Sequence, residues 1–426
     1  MNPRVNKTVI DNGVRILTKT FPHVHSVSMG VWVNVGARDE SAEESGLSHL
    51  IEHMIFKGTA KRTAYQIAKE FDAIGGQTNA FTSMELTCYH ARVMDSHLAT
   101  MVDILSDIFL HSEFDQKEVE RERAVILQEI GMVEDTPEEH VHTLLGNSFW
   151  GDNPLGRSIL GTRENVRGFS AETIRDFFNR NYQPDRIVIS AAGNLTHDHF
   201  VDLVGGTFES VRPGNGFPER LAPQPKAATA VHRRELEQVH LCLGTPGLST
   251  TDSRRYALSL LNTILGGNMS SRLFQEIREQ RGLAYAVYSY ICSHADTGMF
   301  GVYAGVAPEN TFAAVELILE ALRRMRREPV GEAELQDAKE YTKGGVLLSA
   351  ESMDNQMVRI AQNEINFGRD IPLPELIDKI SSVTVEEVHQ AAQQLLESGK
   401  IALTMLGPVP DEASHTDAVL ELMSRS

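Results

Sequence analysis

The chain has 426 residues, 41% of them hydrophobic, and carries 40 Lys and Arg against 58 Asp and Glu, a formal net charge of −18. That length and apolar content allow two domains with sizeable cores. The acidic balance argues against a nucleic-acid partner, since the basic run Arg323–Arg327 reads as one face of a solvated helix, and no stretch of 18 apolar residues marks a membrane span. Three widely spaced cysteines, Cys88, Cys242 and Cys292, form no C-x-x-C pair and point to a reducing compartment rather than a disulfide framework. The start of the chain, residues 1–8, lacks the apolar stretch of a secretion signal, so the expected location is cytoplasmic and of bacterial type.

In chain order, residues 9–17 predict a hairpin turning at Asn12-Gly13. Residues 27–35 alternate as a strand. A helix follows through Leu47–Ile55, with Ser45 as its expected cap and Gly58 as its expected end. A second helix spans 64–74, a strand runs from Gly75-Gly76 toward Val93, and helices cover 97–110 and 115–132. A further strand is expected over 186–192. Pro and Gly accumulate over 211–227 and mark a linker. The predicted domains are therefore 1–210 and 228–426. The second half repeats the first: Leu47–His53 aligns with Leu258–Ile264, and His97–Glu118 with Asn310–Glu334. This predicts an α+β fold of two homologous domains, each a mainly antiparallel sheet packed with helices, arising by internal duplication.

The chemistry concentrates in His49-Leu50-Ile51-Glu52-His53. Four helical residues advance about 400°, so His49 and His53 point the same way, with Glu52 between them in angle. Two neutral imidazoles suit Zn²⁺, and a carboxylate beside them suits a base acting on metal-bound water. The order H-x-x-E-H is the inverted zincin pattern. A third protein ligand is needed. The helix over 115–132 offers Glu122 and Glu129, two turns apart on one face. Glu129 is the candidate ligand, and Glu122 is a candidate for orienting a histidine; the plainer alternative for Glu122 is a solvated glutamate paired with Arg121 or Arg123. In the repeat, His49, Glu52 and His53 become Leu260, Thr263 and Ile264, and Glu129 falls near Gly345. The copy keeps the helical register and loses every proposed metal group, which is the pattern of one catalytic half with an inert partner. The pairs His23/His25, His140/His142 and His197/His199 have no acidic or cysteine partner at a recognised spacing and read as surface histidines, with His140 and His142 the least secure in that reading.

The stretch Gly46–Thr59, together with Glu122–Ile130, resembles the pitrilysin family of zinc peptidases, and most of all its short-chain branch, which includes the mitochondrial processing peptidase β subunit and bacterial relatives. The resemblance extends along nearly the whole chain. It implies His49, His53 and Glu129 as ligands of one Zn²⁺ per chain, Glu52 as general base and Glu122 as a supporting group. Gly75–Ser83 resembles the strand along which family members lay a peptide, with the carry-over on Asn79 and Ala80; an extended peptide can join such an edge through backbone hydrogen bonds. Leu273–Tyr285 resembles a signature whose Arg and Tyr reach the active cleft, here Arg278 and Tyr285, residue types suited to binding carbonyl oxygens and stabilising an oxyanion. Long relatives carry four such units in one chain, so a two-unit chain is expected to dimerise, with a second copy or a related chain. The expected activity is a zinc endopeptidase acting on peptides or unfolded segments. The alternatives are a non-catalytic assembly subunit and a peptide-binding module.

Overall fold

A computed structural model describes residues 4–214 and 216–409. The strands and helices run in the order β1 (Val5–Val9), β2 (Arg15–Thr20), β3 (Ser26–Val33), α1 (Leu47–Met54), α2 (Ala64–Ala73), β4 (Gln77–Thr82), β5 (Thr87–Met94), α3 (Leu98–His111), α4 (Gln116–Glu134), α5 (Pro137–Trp150), α6 (Arg163–Gly168), α7 (Ala171–Asn181), β6 (Ile187–Gly193) and α8 (His197–Phe208). They continue through β7 (Thr229–Arg233), β8 (Val239–Pro246), α9 (Arg255–Leu265), β9 (Ala284–Ser293), β10 (Gly298–Val306), α10 (Thr311–Arg327), α11 (Glu332–Ser349), α12 (Met353–Phe367), α13 (Leu373–Ser382), α14 (Val385–Leu395) and β11 (Ala402–Gly407). The first hairpin closes as expected, pairing Val9 with Arg15 around Gly13 at φ 102°, a conformation that suits glycine. The single strand expected between Gly75 and Val93 is two strands, β4 and β5, paired antiparallel.

The chain forms two compact units, and neither is one continuous stretch of sequence. The first comprises residues 1–131, 158–220 and 348–371; the second comprises 132–157, 221–347 and 372–426. This corrects the predicted division into 1–210 and 228–426: helix α5 belongs to the second unit and helix α12 to the first. Residues 1–3, Asn215 of the linker and 410–426 lie outside the described residues. The linker carries no helix or strand among its described positions and is tied down locally. Just before its end in the first unit, Arg220 pairs with Asp39 at 2.7 Å, and in the second the Lys226 amide donates to the Phe149 carbonyl at 2.8 Å.

In the first unit the strand order is β1-β2-β6-β3-β5-β4. Only β2 and β6 pair in parallel; the other neighbours are antiparallel. Successive side chains along a strand face opposite sides of the sheet. Ile16, Val31 and Ile189 therefore enter one core with α1, α3, α7 and α8, while Leu17, Trp32 and Val188 enter another with Met353, Met357 and Ile360 of α12. The sheet is apolar on both faces, so β3 is buried along almost its whole length. Gly30 makes room for α12: a Cβ there would meet Met357 Sδ at 2.6 Å.

The second unit repeats this plan. Its order β7-β11-β8-β10-β9 matches β2-β6-β3-β5-β4, including one parallel pair, β11 with β7. Helices α9, α10 and α14 cover one face, and α5 lies against β8 and β11 on the other. Each sheet is thus completed by a helix from the opposite half of the sequence. No helix among the described residues is long and apolar enough to cross a membrane. The three cysteines are unpaired.

Candidate metal centre

Helix α1 buries Leu47, Leu50, Ile51 and Met54 in the first core. That packing fixes its rotation and turns His49 and His53 outward together, their ring centroids 4.7 Å apart. Ser45 is not the cap. Gly46 occupies the N-cap position at φ 105°, and the helix ends at Met54, before Gly58. Two turns of α4 bring Glu122 and Glu129 to the same place. Glu129 Oε2 stands 3.7 Å from Nε2 of His49 and 3.7 Å from Nε2 of His53. The three ligand atoms lie within 4.8 Å of one another, the one such grouping among the described residues.

The donor chemistry decides what this cluster can hold. Glu122 Oε2 lies 3.0 Å from His53 Nδ1, which assigns the ring proton to Nδ1 and leaves the Nε2 lone pair facing Glu129. Lys57 fixes Glu122 from the other side at 2.6 Å. Arg121 and Arg123 are engaged elsewhere, with Glu118 and with the carbonyls of Val166 and Phe169. Burial, and secondarily the adjacent His53, hold the His49 imidazole down to about 4, so it is neutral near pH 7. Glu129 Oε2 is buried and has no hydrogen-bond partner, and 3.7 Å is too long for a hydrogen bond to either ring. A carboxylate oxygen and an imidazole lone pair facing one another without a proton between them are costly to bury, and a divalent cation satisfies both at once. The residues therefore fit Zn²⁺.

Glu52 sits beside the cluster. Burial pushes its carboxyl up, opposed mainly by the neighbouring Thr82 at the end of β4. Glu52, His53, Phe56, Lys57, Thr78, Asn79 and Ala80 line a cavity of about 300 Å³. Its far wall is β4, the edge strand of the sheet. The Ala80 amide donates to Asn79 Oδ1 at 2.9 Å, so a local side chain serves an amide on this edge strand. Sequence reasoning missed Lys57 as a partner of Glu122 and Thr82 as a neighbour of Glu52. Lys57 lies four residues beyond His53, a spacing that could have marked it; Thr82 carries no local signal.

Arg278 and Tyr285 lie in the second unit. Arg278 is in a π-helical segment, Phe274–Gln280, and its guanidinium stacks on the rings of Phe274 (4.7 Å) and Tyr285 (4.8 Å). Tyr285 is 77% exposed. His142 also belongs to the second unit, where its ring nitrogens meet the hydroxyls of Tyr290 (3.0 Å) and Tyr288 (3.1 Å). His197 is held by Thr8 and Thr18. No histidine of the three His-x-His pairs joins a metal-type cluster among the described residues.

A duplicated α+β fold with an inverted H-x-x-E-H helix and a distant glutamate in one unit only defines the class of the two-domain inverted zincins. The chain belongs to peptidase family M16: residues 15–163 match "Insulinase (Peptidase family M16)" and residues 168–341 match "Peptidase M16 inactive domain". Among similar proteins, the uncharacterized zinc protease YmxG of Bacillus subtilis is 41% identical over 406 residues, covering 95% of this chain and 98% of its own. An uncharacterized zinc protease of Streptomyces coelicolor is 40% identical over 96% of this chain and 90% of its own. The crystal structure of a protease from Helicobacter pylori shares the fold, with a TM-score of 0.89 at 21% identity over 95% of this chain and 99% of that one. A Pseudomonas fluorescens structure described as a peptidase M16 inactive domain does so at 0.87 and 21%, over 96% and 99% of the two chains.

Proposed function

We propose that the protein is a zinc-dependent endopeptidase, located in the cytoplasm, that hydrolyses peptides or unfolded segments bound as an added strand along β4. The observation that carries this reading is Glu129 Oε2, a buried carboxylate oxygen without a hydrogen-bond partner, aimed at two imidazole nitrogens. His49, His53 and Glu129 would hold one Zn²⁺, which supplies a water of lowered pKa and polarises the scissile carbonyl. Glu52 would serve as the base toward the attacking water and as the acid toward the leaving amine; its raised pKa suits a group that must both accept and return a proton. Glu122, braced by Lys57, keeps His53 in the tautomer that presents Nε2. Asn79 and Ala80 pair with the peptide backbone, a mode with loose side-chain demands. The protein acts as a dimer in which Arg278 and Tyr285 of one protomer serve the partner's centre.

The test is metal analysis of purified protein combined with hydrolysis of a quenched peptide. The expected result is one zinc per chain and cleavage abolished by a chelator. Glu52→Gln should keep its metal and lose about 10²- to 10⁴-fold in turnover. Zinc without cleavage would identify a peptide-binding module, and neither zinc nor cleavage an assembly subunit.

A further inference from the structure

We infer that Glu40 is a positioning residue for the metal centre: its carboxyl group, reaching from outside helix α1, sets the turn that carries His49. The inference rests on His49, His53 and Glu129 being ligands. Helix α1 has eight residues, too few to hold its own geometry in isolation. Its first amides need acceptors, and the N-cap residue, Gly46, has no side chain to offer. Glu40 meets that need from six residues upstream. Its Oε2 accepts from the Gly46 amide at 2.8 Å and its Oε1 from the Ser48 amide at 2.7 Å. Ser48 directly precedes His49, so the position of the first ligand follows from this carboxyl group.

The surroundings make the contact a fixed point. A Cβ on Gly46 would come within 2.8 Å of the Leu160 carbonyl and 3.0 Å of Gly161 Cα, so the segment before the helix has no room to slide. Asn165 donates to the Ala42 carbonyl of the same segment at 2.7 Å. Glu40 itself is buried. Burial pushes its carboxyl up to about 8 against the pull of the two amides, so the group sits there at a cost that its bonds to the helix offset only in part. Glu129 comes from α4 and is placed independently. Without Glu40 the first turn of α1 would loosen relative to α4, and ligand sets tolerate only about 0.5 Å of such drift.

The experiment measures zinc affinity by competition with a chromophoric chelator, and the visible spectrum of the cobalt-substituted protein, for wild type, Glu40→Gln, Glu40→Ala and a core control, Ile174→Val. Glu40→Ala should bind zinc about tenfold more weakly, as for loss of other groups that orient ligands, with an altered cobalt spectrum. Glu40→Gln keeps one acceptor oxygen and should fall between. The control should lose stability but keep wild-type affinity and spectrum. Equal zinc affinity in wild type and Glu40→Ala, or an equal loss in the core control, would overturn the inference. If Glu40→Ala does not fold, Glu40→Gln decides, and wild-type affinity and spectrum in that variant overturn it. A wild-type protein that binds no zinc would overturn the ligand reading first, and this inference with it.

Discussion

His49 and His53 share a helix face but not an environment. Glu122 holds His53 at Nδ1, whereas His49 Nδ1 is buried without a partner and its ring is held down to about 4, mainly by burial. This has a consequence for the metal-free protein. An unfolded histidine takes up a proton near pH 6.5, while folded His49 stays neutral until about pH 4. Between those values the unfolded chain binds more protons, so stability falls as pH drops through the window from about 6.5 to 4. Thermal melts in chelator across that range should show the fall, and His49→Gln should flatten it; an unchanged slope in the variant would assign the effect to other groups. Glu122 shows why neighbours in sequence are poor guides to partners. Arg121 and Arg123 flank it, yet its carboxylate is met by His53 of helix α1 and by Lys57 just beyond that helix.

Among the elements, α12 completes the core on the second face of the first sheet. It packs on the face of the first sheet that presents Leu17, Trp32, Cys88 and Val188. A large apolar side chain contributes about 1.5–3 kcal/mol when fully buried, so this helix is integral to the unit that holds the candidate metal centre. Met357 is completely buried against that sheet, and Met357→Ala should destabilise the first unit by about 2–5 kcal/mol. Urea denaturation followed by the fluorescence of Trp32 would read this; a loss below about 1 kcal/mol would show that the helix is not a committed part of the core. Helix α1 and strand β4 form the other decisive pair. One carries the histidines and Glu52, the other lines the same cavity with Thr78, Asn79 and Ala80, so the candidate base faces the strand that would receive the peptide.

On the scale of the whole molecule, two copies of one plan have diverged in chemistry. The second copy keeps the strand order and the helix equivalent to α1, but Leu260, Thr263 and Ile264 are buried there in place of His49, Glu52 and His53. It carries the Arg278–Tyr285 stack, with Tyr285 exposed. If that stack serves a partner protomer, a His53→Gln chain and an Arg278→Ala chain, each inactive alone, should recover activity when mixed under subunit exchange. The expected recovery is roughly one active site in four of the wild-type level, by random pairing. No recovery, with heterodimers demonstrated, would end the trans arrangement.

The sequence by itself determined whatever depends on local periodicity. Helical spacing put His49, Glu52 and His53 on one face, two turns placed Glu122 and Glu129 together, and the repeated register exposed the duplication along with its loss of the candidate ligands. A helix has a fixed rise and twist, so such relations need no knowledge of the rest of the chain. Tertiary structure alone decided that Glu129 Oε2 meets both Nε2 atoms, that Lys57 and Glu40 hold the groups around them, and that α5 and α12 change places between the halves. These depend on how separate elements pack. The apolar second face of each sheet had to be covered, and nothing in the spacing of residues along either half says which helix would come to cover it.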